Sequence, residues 1–217
     1  GAITPDGCAV EVYARLPVGA EPDVVASAAP AGARILELGC GVGRVTHPLV
    51  ERGFEVTAVD ESPEMLERVR GARTVCSAIE DLDLGERFDV VLLGSFLVHA
   101  GDTRVRDGLL RSCRRHVADG GHVLVQREGD GWHDQDPPDR EIPGGRVRVV
   151  SSTPVGDGVR SVRVDYDFAD GSWSHTFVSR PLTRTAFEQA LAAAGLTVES
   201  YLTDDGTWAL ARAATAG

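Results

Sequence analysis

Lysine is missing altogether: the 22 basic residues of this 217-residue chain are all arginine, and they stand against 33 acidic residues for a net charge of −11. The absence of lysine is a compositional bias with no mechanism attached. The acidic excess does exclude something, because it repels phosphate backbones and nucleic-acid binders carry a basic stripe. No nucleic acid partner is expected. Long apolar runs are missing too. The longest, residues 90–98, is broken by Gly94 and Ser95 and reaches about half of the roughly 20 residues that cross a bilayer, so no membrane partner is expected. The first residues carry neither a basic stretch nor an apolar one, which shows no secretory pattern and leaves a cytoplasmic expectation. The four cysteines, Cys8, Cys40, Cys76 and Cys113, form no C-x-x-C pair and no short cluster with histidine. They read as free thiols in a reducing compartment, and no metal is expected.

What is present suits a folded protein. With 42% hydrophobic and 25% charged residues a packed core is expected, and the length predicts one domain with an elaboration. Between residues 33 and 127 short apolar runs alternate with amphipathic stretches, the pattern of βαβ units around a mostly parallel sheet. Strands are expected at 34–38, 55–59, 73–76, 89–93 and 122–125, and helices at 44–52, 63–70 and 102–117. Ser62 and Pro63 read as N-cap and first helical residue, with Gly71 past the end. Pro48 has no amide to donate, so the helix that holds it must start between Arg44 and Thr46.

Residues 129–145, rich in Gly, Pro and Asp, read as a long connector. Beyond it Val162, Val164, Tyr166 and Phe168 alternate with Arg163, Asp165 and Asp167. With Asp157-Gly158 and Asp170-Gly171 as tight turns, they predict a three-stranded antiparallel meander. A helix at 183–194, opened by a capping box from Thr185 to Glu188, leads to closing strands at 196–202 and 207–212.

The most informative segment is Ile35-Leu36-Glu37-Leu38-Gly39-Cys40-Gly41-Val42-Gly43-Arg44. A strand runs into three alternating glycines and then a helix. Glycine is needed where the backbone turns sharply and where a ligand comes so close that a Cβ would collide with it, so a nucleotide-type ligand is implied. Asp60, at the end of the second strand, can accept hydrogen bonds from both hydroxyls of a ribose. Two details disfavour a nicotinamide-dependent oxidoreductase. Arg44 stands where a dinucleotide fingerprint has its third glycine, and the charge of Glu37 is unwelcome beside a pyrophosphate but suits ammonium and sulfonium groups.

This segment resembles motif I of the class I S-adenosylmethionine-dependent methyltransferases, and residues 56–66, 88–96 and 118–125 resemble their later motifs. The resemblance implies an α/β fold: a Rossmann-like, doubly wound, mostly parallel sheet with an antiparallel last strand, plus the inserted antiparallel β-meander. The expected division is an N-terminal segment 1–30 over the cofactor site, a Rossmann-like domain at 31–128 and 180–217, and a connector with a substrate-side insertion at 129–179. The resemblance also implies cofactor contacts. Gly39, Cys40 and Gly41 would border the methionine part, Glu37 its amino end, and Asp60 the ribose, with Arg44 also a cofactor contact. Glu61, Met65, Ser77, Ala78 and Ile79 would line the adenine. Gly94, Ser95 and Phe96 would face the donor methyl, and Tyr13 would reach over from the N-terminal segment.

On the acceptor side His99 reads as a general base or as packing. In the connector, Trp132-His133-Asp134 offers an aromatic plate to a substrate and, in His133, a second candidate base. Trp173 shares a strand face with His175 and Phe177, as core or as substrate wall; His47, His116 and His122 are given no role. The implied function is methyl transfer from S-adenosylmethionine to an O or N acceptor on a small molecule by direct displacement, with S-adenosylhomocysteine as product. The alternative is a non-catalytic regulator or partner subunit that binds these ligands. Both monomer and homodimer stay open.

Overall fold

The protein is described by a computed structural model covering residues 2–4 and 7–215. Residues 1, 5, 6, 216 and 217, at the ends of the expected ranges 1–30 and 180–217, lie outside the described residues. Two short helices, α1 (Val10–Arg15) and α2 (Glu21–Ala28), precede β1 (Arg34–Leu38), α3 (Thr46–Glu51), β2 (Glu55–Asp60), α4 (Pro63–Leu66), β3 (Arg73–Cys76), β4 (Phe88–Leu93), α5 (Thr103–His116) and β5 (Val117–Gln126). After β6 (Arg140–Ile142), β7 (Gly145–Gly156), β8 (Val159–Phe168) and β9 (Gly171–Ser179) the chain closes with α6 (Arg184–Ala193), β10 (Leu196–Tyr201) and β11 (Trp208–Ala213).

Alternation along β1 shows how the larger sheet is buried. Ile35 packs on the face covered by Val25 of α2 and Leu49 of α3, whereas Leu36 and Leu38 pack on the face covered by Leu110 of α5 and Phe187 of α6. Both faces are therefore apolar, which is why these strands read as continuous apolar runs. Each large side chain so buried contributes about 1.5–3 kcal/mol. The strand order is β10-β11-β5-β4-β1-β2-β3, and only β11 runs against its neighbours. Connections reverse direction between β1 and β4, so a crevice opens outside their carboxyl ends. Among the described residues no helix is long and apolar enough to cross a membrane.

The second sheet, in the order β6-β7-β8-β9, is antiparallel and has four strands where three were expected. The extra one comes from the connector, where residues 140–142 turn back on β7 through Gly144 at φ 78°. Gly145 is required there, since a Cβ would stand 2.3 Å from the Asp167 carbonyl oxygen. Asp157 and Gly158 form the expected tight turn, both with positive φ. The other turn falls at Ala169 and Asp170, one position early, because Phe168 pairs with Gly171.

Helix limits also differ from expectation. Pro48 falls in the first turn of α3, where its missing amide costs nothing. Helix α4 stops at Leu66 because later backbone groups find side-chain partners: Arg70 bonds the Glu67 and Val69 carbonyls, and its own amide donates to His47 Nε2. Helix α6 is capped by Thr183, whose Oγ1 accepts the Ala186 amide at 3.1 Å, and not by Thr185.

Candidate functional site

The alternation that buries Ile35 puts Glu37 on the same side of β1, next to α3. It is 4% exposed, and its Oε2 accepts a 2.5 Å hydrogen bond from Thr46 Oγ1. Burial lifts its carboxyl to about 7, against the pull of that hydrogen bond and of Arg44. Such a group is poorly compensated until a cation sits beside it. Gly39, Gly41 and Gly43 all have positive φ, and a Cβ on Gly39 would come within 2.7 Å of Leu97 Cδ1. Glu37, Gly39, Arg44, Gly94 and Ser95 line one cleft. Arg44 also ties α2 over the loop through Glu21 Oε1 at 2.8 Å and the Pro17 carbonyl at 3.2 Å. Cys40 is buried, and burial pushes its thiol up, so it is no nucleophile. Tyr13 borders a second cleft with Val42 and Arg44.

Asp60 clamps this loop. Its Oδ2 accepts the Gly41 amide at 2.9 Å and its Oδ1 the Ser62 amide at 3.0 Å. The Asp60 carbonyl takes the Ser77 amide at 3.1 Å, which brings the end of β3 alongside. Ser77 Oγ is spent on the Ala78 carbonyl, Met65 is buried, and the Ile79 Cδ1 lies 3.8 Å from the Cβ position on Gly39. Glu61 carries the carbonyl that faces Cys76 Sγ. The structure thus gathers the glycine loop, Asp60 and residues 77–79 along one edge.

After β4 the chain is strained. Ser95 and Phe96 are both left-handed, at φ 54° and 57°, a conformation that costs on the order of 1–3 kcal/mol per residue and clusters at functional sites. Gln126, at the end of β5, holds the strained turn by accepting the Ser95 amide at 2.8 Å. A 3-10 turn over Leu97–His99 follows.

His99 corrects an expectation. Its Nδ1 lies 2.8 Å from the Arg180 carbonyl, and its Nε2 accepts the Glu128 amide at 2.9 Å. A carbonyl only accepts and an amide only donates, so the ring is neutral with its proton on Nδ1. No nitrogen is left to take a proton from a substrate. Burial also pulls its pKa down to about 4. His99 is a strut between the strand leaving the larger sheet and the strand returning to it. His133 is likewise buried, 2.7 Å from Ser179 Oγ, with its ring 5.3 Å from that of His99, and burial lowers its pKa. The Trp132–His133–Asp134 turn is no loose connector. Ser152 Oγ donates to the His133 carbonyl, Arg160 pairs with Asp134, and Trp132 stands edge-on to His133. Trp173 lines neither cleft: the Arg15 guanidinium lies over it at 4.8 Å and pairs with Asp170, which docks α1 on the second sheet.

Four side chains at this edge lie outside the expected site residues: Glu21, Gln126, Glu128 and Trp208. Gln126 ends a parallel strand and Glu128 lies just past it, where the rule that ligands bind at carboxyl ends points. Trp208 lines the first cleft from an antiparallel strand far along the chain, where no local pattern marks it.

Residues 36–123 match the family described as a methyltransferase domain. The chain is 27% identical over 110 residues to a ubiquinone biosynthesis O-methyltransferase of Nitrobacter winogradskyi, a stretch covering 47% of this chain and 41% of that protein. It thus spans less than half the length of the curated relatives it matches. Its fold is similar to an S-adenosylmethionine-dependent methyltransferase from Clostridium acetobutylicum, with TM-score 0.75, 15% identity and coverage of 94% and 95% of the two chains. It is also similar to an S-adenosylmethionine-bound amino pentose methyltransferase from Micromonospora echinaspora, with TM-score 0.69, 24% identity and coverage of 89% and 88%.

Proposed function

From the premise that this chain belongs to the class I S-adenosylmethionine-dependent methyltransferases, we propose that the protein is an enzyme that methylates an O or N acceptor on a small molecule by direct displacement. S-adenosylmethionine is the donor and S-adenosylhomocysteine the product. The observation that carries this reading is the buried Glu37 carboxyl at the β1/β4 crevice, beside a loop whose Gly39 turns at φ 76°, a conformation that favours glycine. It is a site for a cation and not for a pyrophosphate.

When bound, S-adenosylmethionine supplies a methyl carbon already activated by its sulfonium. Glu37 takes the ammonium end and Asp60 the ribose hydroxyls. Gly39, Cys40, Gly41 and Arg44 border the methionine part, and Glu61, Met65, Ser77, Ala78 and Ile79 enclose the adenine. Gly94, Ser95 and Phe96 face the methyl side, and Tyr13 closes over the loop from α1. The second sheet, with Trp132 on the turn that leads to it, walls the acceptor side. The protein's share of the rate is alignment and exclusion of water. The likeness to an amino pentose methyltransferase supports a polar, sugar-sized acceptor.

Calorimetric titration with S-adenosylmethionine, S-adenosylhomocysteine and NADH tests the reading. Micromolar binding of the two sulfur ligands alone is expected, and tight binding of NADH in their place would overturn it.

A further inference from the structure

We propose that Glu128 binds and deprotonates the methyl acceptor, and that this acceptor is an aliphatic amine held as its ammonium ion; the proposal rests on the methyl-transfer reading above. The argument starts from strand order. Strand β5 lies beside β4 on the side away from β1, and the Leu93–Val125 pairing sets Gln126 level with Gly94. Glu128 follows two residues on, at the root of the second sheet. Along the carboxyl edge the order is therefore Asp60, Glu37, the strained turn at Ser95 and Phe96, and then Glu128.

The backbone of Glu128 is fixed by its amide bond to His99. Its half-buried carboxylate receives no hydrogen bond among the described residues. The neighbouring Arg127 guanidinium gives its Nη1 and Nη2 to Asp130 and to the carbonyls of Leu182 and Gly206, and none of its nitrogens hydrogen-bonds Glu128. His99 and His133, the rings beside this root, carry depressed pKa values and are neutral. What remains is a carboxyl that no cation hydrogen-bonds, and burial raises it to about 7 against the pull of Arg127. A base of that strength can take a proton from an alkylammonium of pKa about 8–10. An alcohol, with a pKa near the 15.7 of water, is out of its reach.

In the step, the Glu128 carboxylate removes one N–H proton from the ammonium and frees the nitrogen lone pair. That pair forms the N–C bond as the C–S bond breaks and its electrons stay on sulfur. The product leaves as the N-methylammonium, and the proton on Glu128 passes to solvent. His99 is a positioning residue.

Two measurements test this. In protein carrying carboxyl-labelled glutamate and saturated with S-adenosylhomocysteine, carbon NMR should show one carboxyl titrating near 7 that is missing from Glu128→Gln. Titration of that signal near about 4.3, the ordinary glutamate value, overturns the proposal. In the second, methyl-labelled S-adenosylmethionine is offered with paired aminosugars and aminocyclitols and their hydroxyl counterparts. Label is expected on the amines, with at least a ~100-fold loss in Glu128→Gln, the usual worth of a general base, and S-adenosylhomocysteine affinity unchanged within about twofold. Label on the hydroxyl members, or wild-type rates in Glu128→Gln, overturns it. If no pair is labelled, the titration decides alone. Failure of the wild-type protein to bind S-adenosylhomocysteine counts against the cofactor reading instead.

Discussion

In the seven-stranded sheet β4 buries four residues in a row, Val90 to Leu93, whereas in the four-stranded sheet β9 buries His175 and Ser179 and exposes Ser174, Thr176 and Val178 between and beside them. A sheet covered on both faces has only its strand ends left for a ligand. A sheet covered on one face can offer that face as a wall. The residues proposed for the cofactor's ammonium and ribose are accordingly close in sequence, at the ends of β1 and β2. The residues proposed for the acceptor side come from places far apart in the chain, with Glu128 bonded to His99 through its amide, and His133, edge-on to Trp132, reaching Ser179.

The largest expected effect breaks the local half. Asp60→Ala removes a charged acceptor from two backbone amides and from the ribose, and should weaken S-adenosylhomocysteine binding by about 2–3 kcal/mol, read by calorimetry. Unchanged affinity would remove the ribose assignment. The next separates the two sheets. His99→Ala leaves the Glu128 amide and the Arg180 carbonyl without their partner, at a cost of about 1–3 kcal/mol in denaturant unfolding. Hydrogen exchange should accelerate at residues 128 and 180 while β1 and β4 stay protected.

Smaller effects follow from pH. Glu37 must lose its proton to pair with an ammonium, so affinity for S-adenosylhomocysteine should fall as pH drops below about 7, by up to about tenfold per unit. Glu37→Gln should abolish the slope. His99 runs the other way on stability. Its pKa is depressed from 6.5 to about 4, so the unfolded chain binds the proton first, and stability is lost as pH falls through that window. Smallest is Arg15→Ala, which removes an exposed contact to Asp170 and Trp173. Exchange in α1 should quicken with the unfolding midpoint unmoved.

The strands β1 and β3, the glycine loop and Asp60 were legible because each rests on neighbours in sequence. Helices α1 and α2 were not, since six and eight residues are too few to show a period. Thr183 and Thr185 both look like caps, and only the return path of the chain from β9 selects the first. The histidines misled for a chemical reason. Sequence reads imidazole as a titrating group, yet a neutral ring also carries a donor and an acceptor on opposite edges. His99 and His116 each spend both on the backbone, and His47 and His122 spend one.

The strut at His99 bears on how such a protein can change its habits. It grips one amide where the chain leaves the larger sheet and one carbonyl where it returns, and main-chain groups are present whatever the side chains. Nearly everything between residues 129 and 179 can therefore be exchanged as a cassette. The side-chain ties such an exchange would have to keep are those of Asp130 with Arg127 and of Asp170 with Arg15, and a new acceptor preference could then be grafted on.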